Sequence, residues 1–491
     1  MTRRLLLLAG IAGAALAAPD LGRIDAAVEA SLKAWGVPGA SIAIVKDDRI
    51  LVLKGYGVKE NGKSAAVTPD TVFAIGSTTK AFTTAALAIL ADEGKLDWDD
   101  PVRKHVPEFR LSDPLADQLV TLRDLVCHRT GLTRHDVLWH GTNLTREELI
   151  RRAALLPLSK PFRSVYQYQN IMFLVAGTAV GRAAGSSYEE FVQRRILDPL
   201  GMKNTNFSTN DLDRLPDRAS PHVKTREGGM RVVRWRNLDN IGPAGSINSS
   251  AADLARWMRM QLNGGAFEGK RIISEKNLAE MHTAQVVIRP EDAGRSWNPE
   301  TNQMAYGLAW TLQDYRGLHL VSHGGAIDGF RANITLVPKQ RLGIAVLANL
   351  GQENMPEALR YKLIDAVLGL AARDWDTPLI ERGSKEREES EAAQRAFAKA
   401  RRSGTRPAME LSAYAAVYRH PAYGEVRIGL DSGQLTAQWA GSLFRLEHHH
   451  FETFLLKGGD RLENTTATFY IGPMGSADTL HMLGVEFQRV K

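Results

Sequence analysis

The feature that most constrains the fold is a change of hydrophobic period along the chain. Residues 39–58, GASIAIVKDDRILVLKGYGV, are rich in β-branched and aromatic residues on either side of Lys46-Asp47-Asp48-Arg49, and read as two strands joined by a turn. That texture returns far downstream, in GLHLVSH (317–323), FRANITLVP (330–338) and LGIAVLANL (342–350). Between them, from about residue 123 to 260, helical spacing dominates, and a further helix is expected over about 355–370. Strands at both ends with helices inserted between them imply an α+β fold: an antiparallel sheet packed with helices, beside a helical region.

A second change of texture follows. The stretch KEREESEAAQRAFAKARR (385–402) is charged and Ala-rich, and reads as an exposed helix or solvated spacer. From about residue 411 short alternating strands take over: GEVRIGL, a turn at Asp431-Ser432-Gly433, QLTAQW, LFRLEHHHFETFLL, TATFYIG and HMLGVEF. They predict a small all-β, barrel-like unit. At the other end, Arg3 and Arg4 precede an apolar run over 5–17 that closes in Ala15-Leu16-Ala17, the pattern of a secretory signal peptide cleaved after Ala17. Thr2-Arg3-Arg4 leaves the twin-arginine route open beside the general one. The expected organisation is therefore a signal peptide (1–17), a main domain (18–375), a charged linker or helix (376–410) and a small β domain (411–491), in a periplasmic or secreted protein.

Composition excludes several classes. Among 491 residues, 44% are hydrophobic and 24% charged, as in an ordinary soluble globular chain. The net charge of +7 comes from scattered Lys and Arg with no basic stripe interleaved with aromatics, so no nucleic-acid partner is expected. No later stretch is apolar for long enough to span a membrane in the mature chain. Cys127 is the single cysteine, so no intramolecular disulfide can form, and a buried, inert thiol is expected.

Four candidate motifs carry chemistry. Gly57 to Ser64 matches G-x-x-x-x-G-K-S, but it leaves a strand and runs into Pro69 without helical spacing, so nucleotide binding is rejected. Ser77-Thr78-Thr79-Lys80 lies ahead of a helical pattern at Phe82, Ala85, Ala86, Ile89 and Leu90. A chain of this length carries about one Ser-x-x-Lys by chance, and Ser is also a favoured helix N-cap. If functional, the spacing brings the Lys80 amine beside the Ser77 hydroxyl at a helix N-terminus, which favours developing negative charge. Tyr168-Gln169-Asn170 offers a phenol for proton exchange and a carboxamide for a substrate amide. A free phenol is only about 0.1% ionised at neutral pH, so a basic Tyr168 needs neighbouring cations, Lys80 among them. His323-Gly324-Gly325 ends one strand ahead of another opened by Gly329-Phe330. It places His323 on an edge strand beside Tyr168 and lets substrate backbone approach the glycines. The amides of Ser77 and Ala326 would then form an oxyanion hole. The chain holds no Gly-x-Ser-x-Gly and no His-Glu-x-x-His, and His448-His449-His450 on a strand would alternate between faces, so no metal site and no cofactor are expected.

Ser-x-x-Lys, Tyr-x-Asn and His-x-Gly, together and in this order, resemble the β-lactamase-related serine hydrolases. That group includes class C β-lactamases, D,D-carboxypeptidases, D-aminopeptidases and family VIII esterases. TLRDLVCHRTGL (121–132), PAGSINSSAADLARW (243–257) and YGLAW (306–310) look like further blocks of the family, so the resemblance covers roughly 24–370. YAAVYRHPAYGEVRI (414–428) is similar to the lipocalin-like domain of some members. The resemblance implies an acyl-enzyme on Ser77, with Lys80 and Tyr168 sharing the proton, Asn170 orienting the substrate, and His323 polarising Tyr168. Gly324, Gly325 and Ala326 would bind substrate. His-Gly-Gly replaces the Lys-Thr-Gly of class C enzymes, which points away from efficient β-lactam hydrolysis. A hydrolase of D-amino-acid peptides or short esters is therefore expected. A weak β-lactamase, or a penicillin-binding sensor without turnover, is the alternative. The substrate is a small molecule or peptide, and the oligomeric state stays open.

Overall fold

The computed structural model describes residues 20–225, 228–292, 298–458 and 462–490. The expected signal peptide lies outside the described residues. Helix α1 (Leu21–Trp35) is N-capped by the Asp20 side chain and ends at left-handed Gly36. Strands β1 (Gly39–Lys46) and β2 (Arg49–Gly57) follow as a hairpin whose two turn residues, Asp47 and Asp48, both have positive φ, the twist that a tight antiparallel hairpin needs. Helices α2 (Thr79–Asp92), α3 (Ile171–Ala184) and α4 (Ala251–Leu262) come from the middle of the chain. Strands β3 (Val286–Val287), β4 (Met304–Tyr306), β5 (Thr311–Tyr315), β6 (Leu318–Ile327), β7 (Phe330–Val337) and β8 (Leu342–Ala348) then lead to α5 (Met355–Val367).

The eight strands form one antiparallel sheet in the order β2-β1-β8-β7-β6-β5-β4-β3. β1 and β8 are buried on both faces, which explains why their sequences are near-continuous apolar runs. Ile42, Ile44 and Val346 pack with Val28 of α1 and Leu359 of α5 on one side. Ala43, Val45 and Ala345 face α2 and α4 on the other, where Phe82 stacks on Trp257 with ring centroids 4.0 Å apart. Helix α2 is buried from Thr79 to Leu90, as an apolar surface all round requires. Among the described residues, no helix is long and apolar enough to cross a membrane.

The charged stretch belongs to a 24-residue helix, α6 (Asp376–Lys399). Its first residue, Asp376, accepts hydrogen bonds from Ser31 (2.9 Å), Trp35 (2.8 Å) and Lys362 (2.6 Å), which fixes the start of the helix while most of the rest is exposed. Strands β9 (Ala416–His420), β10 (Gly424–Asp431), β11 (Gln434–Trp439), β12 (Ser442–His450), β13 (Thr453–Lys457), β14 (Thr466–Ile471), β15 (Ala477–Met482) and β16 (Val485–Arg489) close into an antiparallel barrel. Tyr414, Tyr418, Phe454, Phe469, Leu480 and Phe487 are buried in it. His449 stacks on Phe397 of α6 and lies 4.7 Å from the His450 ring, while His448 bonds the Phe451 carbonyl.

Candidate active site

Gly76–Thr78 form a single 3₁₀ turn at the mouth of α2. Gly76 has φ +51°, and a Cβ there would stand 2.9 Å from the Ala326 nitrogen, so the turn presses directly against β6. The turn corrects one sequence expectation: Thr78, not Ser77, occupies the N-cap position, and no side chain caps the helix. The Ser77 oxygen is instead engaged by two catalytic-type groups. Tyr168 Oη donates to Ser77 Oγ at 2.7 Å, and Lys80 Nζ lies 3.1 Å from the same oxygen.

Lys80 is fully buried on the first turn of α2. Its Nζ also donates to Asn170 Oδ1 and to the Ala244 carbonyl, both at 2.8 Å. These three partners are uncharged. Burial, with the Arg134 charge nearby, lowers the amine well below its ordinary pKa against a smaller opposing effect of Asp136. A neutral amine has two N–H groups and one lone pair. In that neutral form, with its N–H groups on Asn170 and Ala244, the amine would turn its lone pair to the Ser77 hydroxyl.

Tyr168 does not have the depressed pKa that a phenolate base needs. Burial pushes it up to about 12, against the Ser77 hydrogen bond and the Arg134 charge, so the resting phenol is neutral. Its ring lies 4.2 Å from that of His128 between centroids, with the Arg134 guanidinium 4.8 Å and Lys80 Nζ 4.9 Å from its own centroid. Asn170 stands just ahead of α3, with Nδ2 donating to Asp136 Oδ1 at 3.0 Å. Its amide thus holds Lys80 on one side and Asp136 on the other, with the second N–H of Nδ2 left over for a substrate carbonyl. Gln169 has structural work of its own: Oε1 accepts from the Ile171 amide at 2.8 Å, and Nε2 donates to the Thr133 carbonyl.

His323 requires two corrections. Strand β6 is interior to the sheet, between β7 and β5. The β5 ladder stops at Thr311–Ser322, however, while the β7 ladder continues to Ile327–Phe330, so only the segment from His323 onward behaves as an edge. Nor does burial favour the charged ring that polarising Tyr168 as a cation would require. Burial, with Lys80 nearby, pushes its pKa down to about 3. Nδ1 faces the Gly324 carbonyl at 2.7 Å and must carry the proton, leaving Nε2 to accept from Tyr306 Oη at 2.9 Å. The two glycines also divide their roles. A Cβ on Gly325 would fall 1.9 Å from the Ile75 carbonyl oxygen, so Gly325 is needed by the nucleophile turn itself; at Gly324 the nearest heavy atom would be 3.8 Å away.

Ser77, Tyr168, His323, Gly324, Gly325 and Ala326 line one cleft of about 280 Å³, with Lys80 and Asn170 bonded behind it. The structure therefore brings together every residue that the three motifs nominated. The motif reading missed Asp136, Arg134, His128, Tyr306 and the Ala244 carbonyl as parts of the arrangement. His128, Ala244 and Tyr306 lie inside the sequence blocks noted above; Asp136 and Arg134 carried no signal. Cys127 is buried, and burial raises its thiol pKa to about 12. Among the described residues, no group of three His, Cys, Asp or Glu side chains is placed to hold a metal ion.

Residues 24–369 match the β-lactamase family model. The chain belongs to the β-lactamase family. As a β-lactamase-family hydrolase it is 30% identical over 441 residues to the unguisins hydrolase of Aspergillus violaceofuscus, covering 84% of this chain and 77% of that protein. The octameric penicillin-binding protein homologue from Pyrococcus abyssi shares the fold with a TM-score of 0.61 and 22% identity, over 96% of this chain and all of that one. A D-stereospecific amidohydrolase from Streptomyces superposes with a TM-score of 0.57 and 25% identity, over 72% of this chain and all of that one. Residues 400–490 match a domain family of unknown function.

Proposed function

We propose that the protein is an exported serine hydrolase that forms an acyl-enzyme on Ser77 and cleaves amide or ester bonds, with D-amino-acid amides, D-peptides and short-chain esters as the substrate class. The observation that carries the reading is the Ser77 oxygen held between the desolvated Lys80 amine and the Tyr168 phenol. Neutral Lys80 takes the Ser77 proton as Oγ bonds to the carbonyl carbon. Tyr168, a neutral acid, gives its proton to the leaving nitrogen or oxygen, and the proton on Lys80 restores the phenol. Water repeats the sequence in reverse to release the acid. The backbone amides of Ser77 and Ala326, brought close by the Gly76 contact, hold the oxyanion. Neutral His323 keeps the β6 edge in place through Tyr306 and adds no charge of its own beside the reacting carbonyl.

The D-stereospecific amidohydrolase among the similar structures supports an amide substrate. The test is intact mass after exposure to a fluorophosphonate and to a penicillin, followed by turnover of paired D- and L-amino-acid amides, p-nitrophenyl esters and a cephalosporin. An adduct on Ser77 that disappears in Ser77→Ala, with faster D- than L-amide hydrolysis, is the expected result. An adduct that survives Ser77→Ala overturns the mechanism, and preferential cephalosporin turnover overturns the substrate class. N-terminal sequencing of the exported protein checks cleavage after Ala17.

A further inference from the structure

The segment from Thr133 to Asn143 touches the reactive centre with some residues and the C-terminal barrel with others. Arg134 lies over the Tyr168 ring, and Asp136 holds Asn170, which in turn holds Lys80. Asp136 is itself fixed by Arg134 Nε at 2.7 Å and Trp139 Nε1 at 3.0 Å. Between Arg134 and Asp136 sits His135, a non-glycine residue with φ +45° and ψ +37°. Side chains rarely adopt that conformation, and it persists only where surroundings hold it. Here the turn sends Arg134 and Asp136 to the reactive centre and His135 to the barrel, where Nδ1 lies 3.0 Å from Tyr423 Oη.

The barrel end that meets it is cross-linked by hydrogen bonds. His420 Nδ1 accepts from the amides of Ala422 and Tyr423, both at 3.1 Å, which locks the turn between β9 and β10. Trp439 Nε1 donates to the Tyr423 carbonyl at 3.0 Å, and the Tyr423 ring meets that of His420 edge-on at 5.2 Å. Two further contacts hold the same end of the barrel on the main domain: Arg152 donates to the Ala422 carbonyl at 3.0 Å, and the Asn143 amide to the Ala440 carbonyl at 3.4 Å. The path from the barrel to the amine beside the nucleophile thus needs few links: Tyr423 to His135, one peptide bond to Asp136, then Asn170 and Lys80.

Building on the reading of Lys80 as the base for Ser77, we propose that the C-terminal barrel is a positioning element of the active site. Tyr423 and His135 are its positioning residues, holding the left-handed turn that places Asp136 and, through Asn170, the lone pair of Lys80. Neither touches the reacting atoms.

The experiment measures the second-order rate of Ser77 labelling by a fluorophosphonate, together with the unfolding midpoint, in the full chain and its variants. Tyr423→Phe removes only the hydroxyl. His135→Gly keeps the backbone conformation and loses the side chain, whereas His135→Asn tolerates the left-handed region and restores an acceptor. Tyr423→Phe and His135→Gly should each slow labelling about tenfold (~1.4 kcal/mol), with His135→Asn recovering most of the rate. The double variant Tyr423→Phe/His135→Gly should be no slower than either single one, because both remove the same link. Wild-type labelling rates in both single variants, or a lowered unfolding midpoint with an unchanged rate, would overturn the proposal. A wild-type chain that takes no label on Ser77 fails the hydrolase reading first, and the positioning role falls with it.

Discussion

Replacing Gly325 by alanine tests how the nucleophile turn is held against the sheet. The added Cβ would sit 1.9 Å from the Ile75 carbonyl oxygen and 2.9 Å from its carbon. Non-bonded heavy atoms settle at roughly 3.5 Å, so the two backbones must part by about 1.6 Å. Neither partner is the yielding tip of a side chain: one is strand β6 and the other is the residue before Gly76. Overpacking of this kind costs about 1–3 kcal/mol of stability. The effect on chemistry should be larger, since a displacement of about 1 Å in a reacting group costs on the order of a hundredfold in rate. Gly324→Ala is the internal control, because its Cβ would meet nothing nearer than 3.8 Å. The assay pairs urea unfolding with the rate of fluorophosphonate labelling at Ser77. Gly325→Ala should lose both stability and labelling rate, while Gly324→Ala keeps the stability of the wild type. If Gly325→Ala unfolds and labels like the wild type, then β6 does not set the position of the turn.

The remaining predictions concern protons and buried charge. The rate of Ser77 labelling should fall on the acid side as Lys80 becomes protonated, with the midpoint well below pH 10.5 because burial favours the neutral amine; a plateau reached only above pH 10 refutes a neutral Lys80. His323 should stay uncharged down to a midpoint of about 3 when ring-nitrogen NMR shifts are followed with pH, and a midpoint near 6.5 would restore the charged-histidine role. Asp124 is buried and paired with Arg129 and Arg163, with its pKa held below the usual carboxylate value. Its folded value lies below its unfolded one, so its contribution to stability is present above about pH 4 and is lost as pH falls through the folded value. Asp124→Asn should therefore cost about 3 kcal/mol near neutral pH, towards the low end for a broken buried pair because Arg163 reaches solvent, and much less at pH 2. An equal cost at both pH values refutes the linkage.

Much of the architecture was legible because the hydrophobic period differs so clearly between elements. Two-sided burial of β1 and β8 shows in their unbroken apolar runs, and the alternating strands beyond residue 411 announce the barrel. The clustering of Ser77, Lys80, Tyr168 and His323 was legible through order and spacing. The electrostatics were not. Whether His323 is charged depends first on burial, an enclosure that no local pattern records. The same holds for Tyr168, whose burial raises the pKa that spacing alone seemed to require lowered. Asp136 was invisible because its partner Asn170 lies 34 positions away, and nothing in RHDVLWH distinguishes an acid that anchors a catalytic amide from one facing water. Ser77 looked like a helix cap for a sound local reason, but its hydroxyl is held by partners from elsewhere in the chain.

The pairing of β1 with β8 sets Ala40 opposite Ala348 in the middle of the sheet. A chain emerging N-terminus first therefore exposes Ser77 and Lys80 long before the strand that lies against them has been made. Closing so large a loop is entropically slow, and contacts so distant in sequence form late in folding. Competence for chemistry is thereby tied to completion of the main domain. An unfinished chain that stops before β6 holds Ser77 and Lys80, but not the strand against which their turn packs.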